Sequence, residues 1–311
     1  MNVKDIYTEN REKPIVIALG FFDCVHIGHR KLISTAKTLA DSLGAECNVF
    51  TFSEREGIFK KPNEIYSFRE RQSLFKSIGI DNIIVAALDN KFADLRGVDF
   101  LDLLFNNFDV KGVVCGSDYR FGRRASCGID ELKKYTDSKK VKLVVEDFVL
   151  FHGEKVSTSM ISDMLVNGDL ETANKLLYEP YFISDVIVSD CKRGRTFGCP
   201  TANIRGRVGR IKLKSGVYAT KCHVDGVEYL AVTNVGDKPT FDDYSYTVES
   251  FLIDFHGTIY GETVKVSFYK YLRPIRKFSD SAELKQQIMS DAESAKRLFY
   301  GEDKIEGDAN D

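Results

Sequence analysis

The stretch Ala18-Leu19-Gly20-Phe21-Phe22-Asp23-Cys24-Val25-His26-Ile27-Gly28-His29-Arg30 decides the fold of the first half of the chain. Ahead of it, Ile15–Leu19 is an unbroken apolar run, the pattern of a strand buried on both faces. Behind it, Leu32, Ile33, Ala36, Leu39, Ala40 and Leu43 recur on one helical stripe. The motif therefore occupies a strand-to-helix turn, where open α/β sheets hold ligands. A helix N-terminus offers unpaired N–H groups and partial positive charge, which suit phosphate. Gly28 lets an anion approach the backbone between His26 and His29, two of the chain's five histidines, and both imidazoles can donate to it. The spacing points to a nucleotide site; two surface histidines on a turn are the plainer alternative.

Outward from this unit, Ala45–Phe52 reads as a strand, Phe68–Ile78 as a helix and Asn82–Ala87 as a strand. Phe100, Leu101, Leu104, Phe105 and Phe108 mark a further helix, and Lys111–Cys115 and Val141–Val145 follow as strands. This alternation predicts an α/β domain with a doubly wound, Rossmann-like parallel sheet over residues 1–180. Two short helices, Ser157–Val166 and Asp169–Leu177, are expected to close it.

After Pro180 strands succeed one another: Ile183–Ser189, Gly216–Val224, Val227–Asn234, Thr247–Phe255 and Glu262–Leu272. Asp225-Gly226 is a tight hairpin signal. Residues 181–300 are therefore expected to form a small antiparallel β-barrel with a C-terminal helix from Ser281, before an acidic tail over 301–311.

The chain of 311 residues is 43% hydrophobic and carries a net charge of −2, which disfavours nucleic acid or a membrane surface as the partner. No apolar run approaches the ~20 residues of a membrane span, and the N-terminus lacks a signal pattern. Seven cysteines without a Cys-x-x-Cys pair read as reduced thiols in the cytoplasm.

Further motifs carry chemistry. Gly116-Ser-Asp-Tyr-Arg-Phe-Gly122 follows a strand end, so Asp118 and Arg120 either reach a ligand or form a loop salt bridge. Ser157, Thr158 and Ser159 open a helix, as N-caps or as phosphate ligands. Gly194-Arg-Thr-Phe-Gly-Cys-Pro-Thr-Ala-Asn203 is a glycine-framed loop; if extended, Thr201 and Asn203 point the same way and suit Mg²⁺ beside phosphates. No Gly-x4-Gly-Lys-Ser/Thr occurs, so this is not a P-loop. Glu249 lies mid-strand among mostly apolar same-face neighbours, either as a general base or on a solvated face.

Together these motifs resemble the bacterial bifunctional riboflavin kinase/FAD synthetase family over almost the full length. The matches are Gly20–His29, Gly116–Gly122, Val156–Ile161, Gly194–Asn203, Asn234–Phe241, and Glu249–Phe255 with Ile259–Gly261. The resemblance implies a nucleotidyltransferase domain followed by a riboflavin-kinase barrel, with riboflavin, FMN and ATP as partners and Mg²⁺ as cofactor. It implies Glu249 as kinase base, Thr201 and Asn203 as metal ligands, and His26 and His29 as the groups that stabilise charge during adenylyl transfer. It further implies that Gly20, Phe21, Gly28, Ser157, Thr158, Ser159, Gly194, Arg195, Gly198 and Pro200 bind ATP, and that Asp118, Arg120 and Arg273 bind flavin.

The chain departs from the family at several positions. Cys24 stands where the family has glycine, and a left-handed backbone there would cost about 1–2 kcal/mol. Ser53-Glu54-Arg55-Glu56 replaces Pro-His-Pro, and Ser162 replaces an arginine. Losing a charge-assisted phosphate contact removes about 1.5–3 kcal/mol. Cys199 and Lys238 are milder changes in the kinase half. Two other functions follow from these features: a riboflavin kinase whose first domain only binds ligand, and an RNA-binding regulator using the basic 192–214 segment.

Overall fold

The computed structural model describes residues 1–53, 64–187, 201–205, 210–236, 246–257, 259 and 261–301, with the side chains of 201 and 205 excepted. The chain forms two compact units, Met1–Thr158 and Ser159–Asp311.

The first unit runs β1 (Asn2–Asp5), β2 (Asn10–Leu19), α1 (Ile27–Leu43), β3 (Glu46–Ser53), α2 (Phe68–Ile78), β4 (Asn82–Ala87) and α3 (Asn90–Ala93). It continues through α4 (Gly97–Asn107), β5 (Phe108–Gly116), α5 (Ile129–Ser138), β6 (Lys142–Glu146) and the short pair β7 (Leu150–Phe151) and β8 (Glu154–Lys155). Six strands pair in parallel in the order β1-β4-β3-β2-β5-β6. The apolar run in β2 is buried because β3 and β5 flank it, with Ala18 opposite both Val49 and Val114. From β2 the chain adds β3 and β4 on one side and β5 and β6 on the other, so the C-terminal ends of β2 and β5 form the topological switch point. Ile33, Ala36, Leu39 and Ala40 of α1 pack inward, while Leu43 at its end is exposed.

Phe108, read above as the end of a helical stripe, is extended and begins β5; α4 stops at Asn107. Its ring is buried in the same core as Leu104, which is why an apolar count cannot separate the two elements. β1 gives no sequence signal because it is an edge strand whose residues are mostly exposed.

In the second unit, α6 (Thr158–Asn167, from its second residue onward) and α7 (Leu170–Leu176) precede β9 (Phe182–Val186) and β10 (Thr201–Arg205). Then come β11 (Gly216–Val224), β12 (Val227–Gly236), β13 (Thr247–Leu252), β14 (Thr263–Arg273) and α8 (Ser281–Tyr300). The strand order is β10-β13-β12-β11-β14-β9, wholly antiparallel. Irregularities where β11 meets β14 bend the pair toward a barrel. Asp225 and Gly226 both take positive φ, 47° and 82°, as a tight hairpin with matching twist requires.

The helices expected to close the first domain belong largely with this barrel. In α7, Asn174 donates to the Phe268 carbonyl and Glu171 pairs with Lys270, both on β14. α8 buries Ala292 and Ala295 against Val217 and Val232. Inside the barrel, Thr220, Thr233 and Ser250 form a buried hydroxyl chain at 2.7 and 2.8 Å. Each hydroxyl thus has a partner in a site that excludes water.

Candidate active sites

The switch point of the first unit holds a cavity of about 610 Å³. One side is built from the opening motif. His26 is the N-cap of α1: its Nδ1 accepts from the His29 backbone N–H at 3.1 Å. His29 in turn donates from Nδ1 to the Cys24 carbonyl, and the two rings stack 3.7 Å apart, 13° from parallel. Phe22 meets His29 edge-on. Gly20, Phe21, His26, Gly28, His29, Ser157 and Thr158 line the cavity. Ser159 is exposed and does not.

Burial, with a smaller effect of neighbouring His29, lowers the His26 pKa from 6.5 to about 2. His26 is therefore neutral, and because Nδ1 accepts, its proton lies on Nε2, the nitrogen able to donate. The expectation of two equivalent anion donors is thereby refined: each ring commits Nδ1 to the backbone. Protonation below pH ~6.5 is confined to the unfolded state, so the unfolded state binds more protons and stability falls as pH drops. The expected slope from this group is up to about 1.4 kcal/mol per pH unit. Urea melts across pH 4–7 should show a shallower decline for His26→Asn than for the wild type.

A second, aromatic part of the cavity wall was not anticipated from sequence. Phe50, Phe52, Phe92, Phe100 and Phe121 converge there, with the Phe50 and Phe100 centroids 5.2 Å apart. They come from β3, α3, α4 and the loop after β5, so no single periodicity marks them.

Asp118 and Arg120 also line the cavity but do not pair with each other. Asp118 forms an ion pair with Lys155, and Arg120 Nε donates to the Ala125 carbonyl. Beneath the motif, fully buried Arg71 donates to Thr51 Oγ1 (2.8 Å), the Phe52 carbonyl (2.8 Å) and the Phe21 carbonyl (3.3 Å). It ties the ends of β2 and β3 together, a role that sequence reading missed because α2 otherwise shows an ordinary amphipathic pattern.

In the second unit, β10 places Asn203 opposite Glu249 of β13, and Glu249 stands opposite Asn234 of β12. The three occupy one cross-strand row, on the half-buried face, while Val248, Ser250 and Leu252 point to the interior. Thr201 begins β10 opposite Phe251, two positions from Asn203 in an extended strand. Asn234 was not assigned a role from sequence; only the pairing register brings it beside Glu249. Gly194, Arg195, Gly198 and Pro200 lie outside the described residues, as do Cys199 and Lys238.

Arg273, expected at the flavin, is engaged by α8: its Nε and Nη2 donate to Asp291 at 2.9 and 2.7 Å. Asp291 is 5% exposed and also accepts from Gln287. Arg273→Ala leaves that carboxylate without its cation and should cost about 3 kcal/mol, read as a lowered urea midpoint of the barrel unit.

Comparison with known proteins now bears on both units. A family model described as FAD synthetase matches residues 8–160, and one described as riboflavin kinase matches 177–299. A bifunctional riboflavin kinase/FMN adenylyltransferase of Bacillus subtilis is 36% identical over 292 residues, 91% of this chain and 92% of its own length. The Haemophilus influenzae protein of that name is 33% identical over 96% of this chain and 98% of its own.

This chain belongs to the bifunctional riboflavin kinase/FMN adenylyltransferase family.

A crystal structure from Streptococcus pneumoniae, described as a macrolide-efflux protein, matches with a TM-score of 0.83 at 28% identity, over 95% of this chain and 98% of that one. Among the described residues, no helix is long and apolar enough to cross a membrane.

The departures from the family pattern can now be placed. Cys24 is fully buried and is not among the residues with positive φ; Phe22 takes that conformation instead, at 50°. The strain considered for a side chain at position 24 is absent. Ser162 is half-buried on α6. Of the Ser53–Glu56 segment only Ser53 lies within the described residues, at the end of β3.

Proposed function

We propose that this chain converts riboflavin and ATP to FMN in its second unit, and FMN and a second ATP to FAD and pyrophosphate in its first. The observation that carries this reading is the match of two family models on one chain, each over the unit that holds its motifs. It favours a bifunctional enzyme over a kinase with an inert first domain and over an RNA-binding regulator. Among the described residues, five cysteines take part in no disulfide.

In the first unit, ATP phosphates lie against the N-terminus of α1, beside Gly20, Phe21, Gly28, Ser157 and Thr158. Ser159 is exposed and serves at most at the edge of this site. The helix N–H groups and His26 Nε2–H donate to phosphate oxygens, and His29, whose Nδ1–H is held by the Cys24 carbonyl, donates from Nε2 in its imidazolium form. An FMN phosphate oxygen attacks the α-phosphorus, the bond to the β-phosphate breaks, and pyrophosphate leaves. The phenylalanine wall accepts the flavin ring, with Asp118 and Arg120 at its polar edge.

In the second unit, Glu249 takes the proton from the riboflavin 5′-hydroxyl as that oxygen attacks the γ-phosphorus and ADP departs. Asn203, whose amide oxygen is a hard donor, and Thr201, two positions before it on β10, would hold Mg²⁺ beside the phosphates, leaving the Glu249 carboxylate free to act as the base. Bound there, the ion neutralises phosphate charge. Arg273 shapes the flavin side indirectly, by anchoring α8 to β14.

Incubation of the purified chain with riboflavin, ATP and Mg²⁺, followed by flavin separation, should give FMN first and FAD after a lag. Absence of FMN overturns the kinase assignment; FMN that never proceeds to FAD overturns the second activity.

A further inference from the structure

Cys24, His26 and His29 gather three metal-binding side chains at one point of the first unit, each offering a ligand atom within 4.8 Å of the other two. No step of the proposed reactions uses the thiol. Cys24 is fully buried and does not line the cavity, with its Sγ 3.9 Å from Thr158 Oγ1, whereas His26 and His29 line it. An ion arriving through the cavity therefore meets the imidazoles before the sulfur.

We infer that Cys24, His26 and His29 form a binding site for a thiophilic divalent cation such as Zn²⁺, and that an ion held there blocks adenylyl transfer. The inhibitory half rests on the function proposed above; the binding half does not.

The donor set decides the class of ion. One thiolate and two imidazoles are ligands for Zn²⁺ or Co²⁺, and poor ones for Mg²⁺, which prefers oxygen. Mg²⁺ supplied with ATP therefore does not compete. His29 already has the second-shell arrangement of a metal ligand, with Nδ1–H donated to a carbonyl and Nε2 directed elsewhere. Zn²⁺ binds sulfur at about 2.3 Å and nitrogen at about 2.0–2.1 Å, so its ligand atoms lie roughly 3.5 Å apart. The cluster must contract by about 1 Å.

Two adjustments accompany that contraction. The stacked rings open, since an ion lies in the plane of each imidazole it binds. His26 moves its proton from Nε2 to Nδ1, giving up the cap bond to the His29 N–H. The Cys24 thiol loses its proton to solvent as the S–metal bond forms, and no electron is transferred. The fourth position faces the cavity and takes water or a phosphate oxygen. Ring nitrogens bound to the ion no longer donate to ATP phosphates, and this produces the block.

The test titrates the full-length protein, reduced with a phosphine, with Co²⁺ alone. Wild type should develop a thiolate-to-cobalt charge-transfer band that Zn²⁺ abolishes, and Cys24→Ser should lack it. In flavin assays with Mg²⁺ and ATP, Zn²⁺ should suppress FAD formation while FMN formation continues. Cys24→Ser and Cys24→Gly should keep FAD formation and need at least ten-fold more Zn²⁺ for the same inhibition. No charge-transfer band in wild type, an unchanged band in Cys24→Ser, or equal zinc sensitivity in all three proteins overturns the site. If wild type forms no FAD even without zinc, the adenylyl-transfer reading fails, and the cobalt spectrum still decides the metal site.

Discussion

Glu249→Gln is expected to slow riboflavin phosphorylation by about 10²–10⁴-fold, the range for losing a positioned general base. FAD formation from supplied FMN should stay at the wild-type rate. Glutamine keeps the size and strand position of Glu249 but cannot take a proton, so the loss should fall on kcat, with little change in KM for riboflavin or ATP. The register places this residue between Asn203 and Asn234, one on each neighbouring strand. That row leaves the fold indifferent to the exchange: the interior side of β13 is carried by Val248, Ser250 and Leu252. Assaying the two half-reactions separately checks the outcome, since a misfolded chain would lose both, or show a lowered melting temperature.

His29→Ala is expected to reduce FAD formation by about 10²–10³-fold, the scale for removing one preorganised donor to developing charge. FMN formation should be unaffected. The substitution removes the ring that stacks on His26 and the link from Nδ1 to the Cys24 carbonyl. His26 and its cap bond to the backbone N–H at position 29 remain, so α1 keeps its start. Single-turnover AMP transfer to FMN, measured at saturating ATP, separates this loss from weaker nucleotide binding. A His29→Ala protein that forms FAD at the wild-type rate would remove His29 from the reaction.

Much of the fold was legible because its signals are local. Ile15–Leu19 could only be a central strand, the stripe from Ile33 to Ala40 could only be a helix, and Asp225-Gly226 fixed a hairpin. The motif after β2 and the loop after β5 were read correctly as strand-end features, and the sheet order explains why they meet. What stayed hidden depends on pairing between distant segments. The row Asn203–Glu249–Asn234 exists only through strand register, and the phenylalanine wall only through packing of separate elements. Arg273 shows another such case: the resemblance implied a flavin contact, and the structure adds an ion pair with Asp291, eighteen residues on, that no local pattern signals. Cys24 would be strained only if its position required a left-handed backbone, and the structure gives that conformation to Phe22 instead.

The central claim is that one chain attaches two different parts of ATP to a flavin. It is tested most directly with riboflavin and ATP labelled either at the γ-phosphate or at the α-phosphate. The account predicts that γ-label enters FMN and is carried into FAD, whereas α-label enters FAD alone. Failure of γ-label to enter FMN, or of α-label to enter FAD, would contradict it.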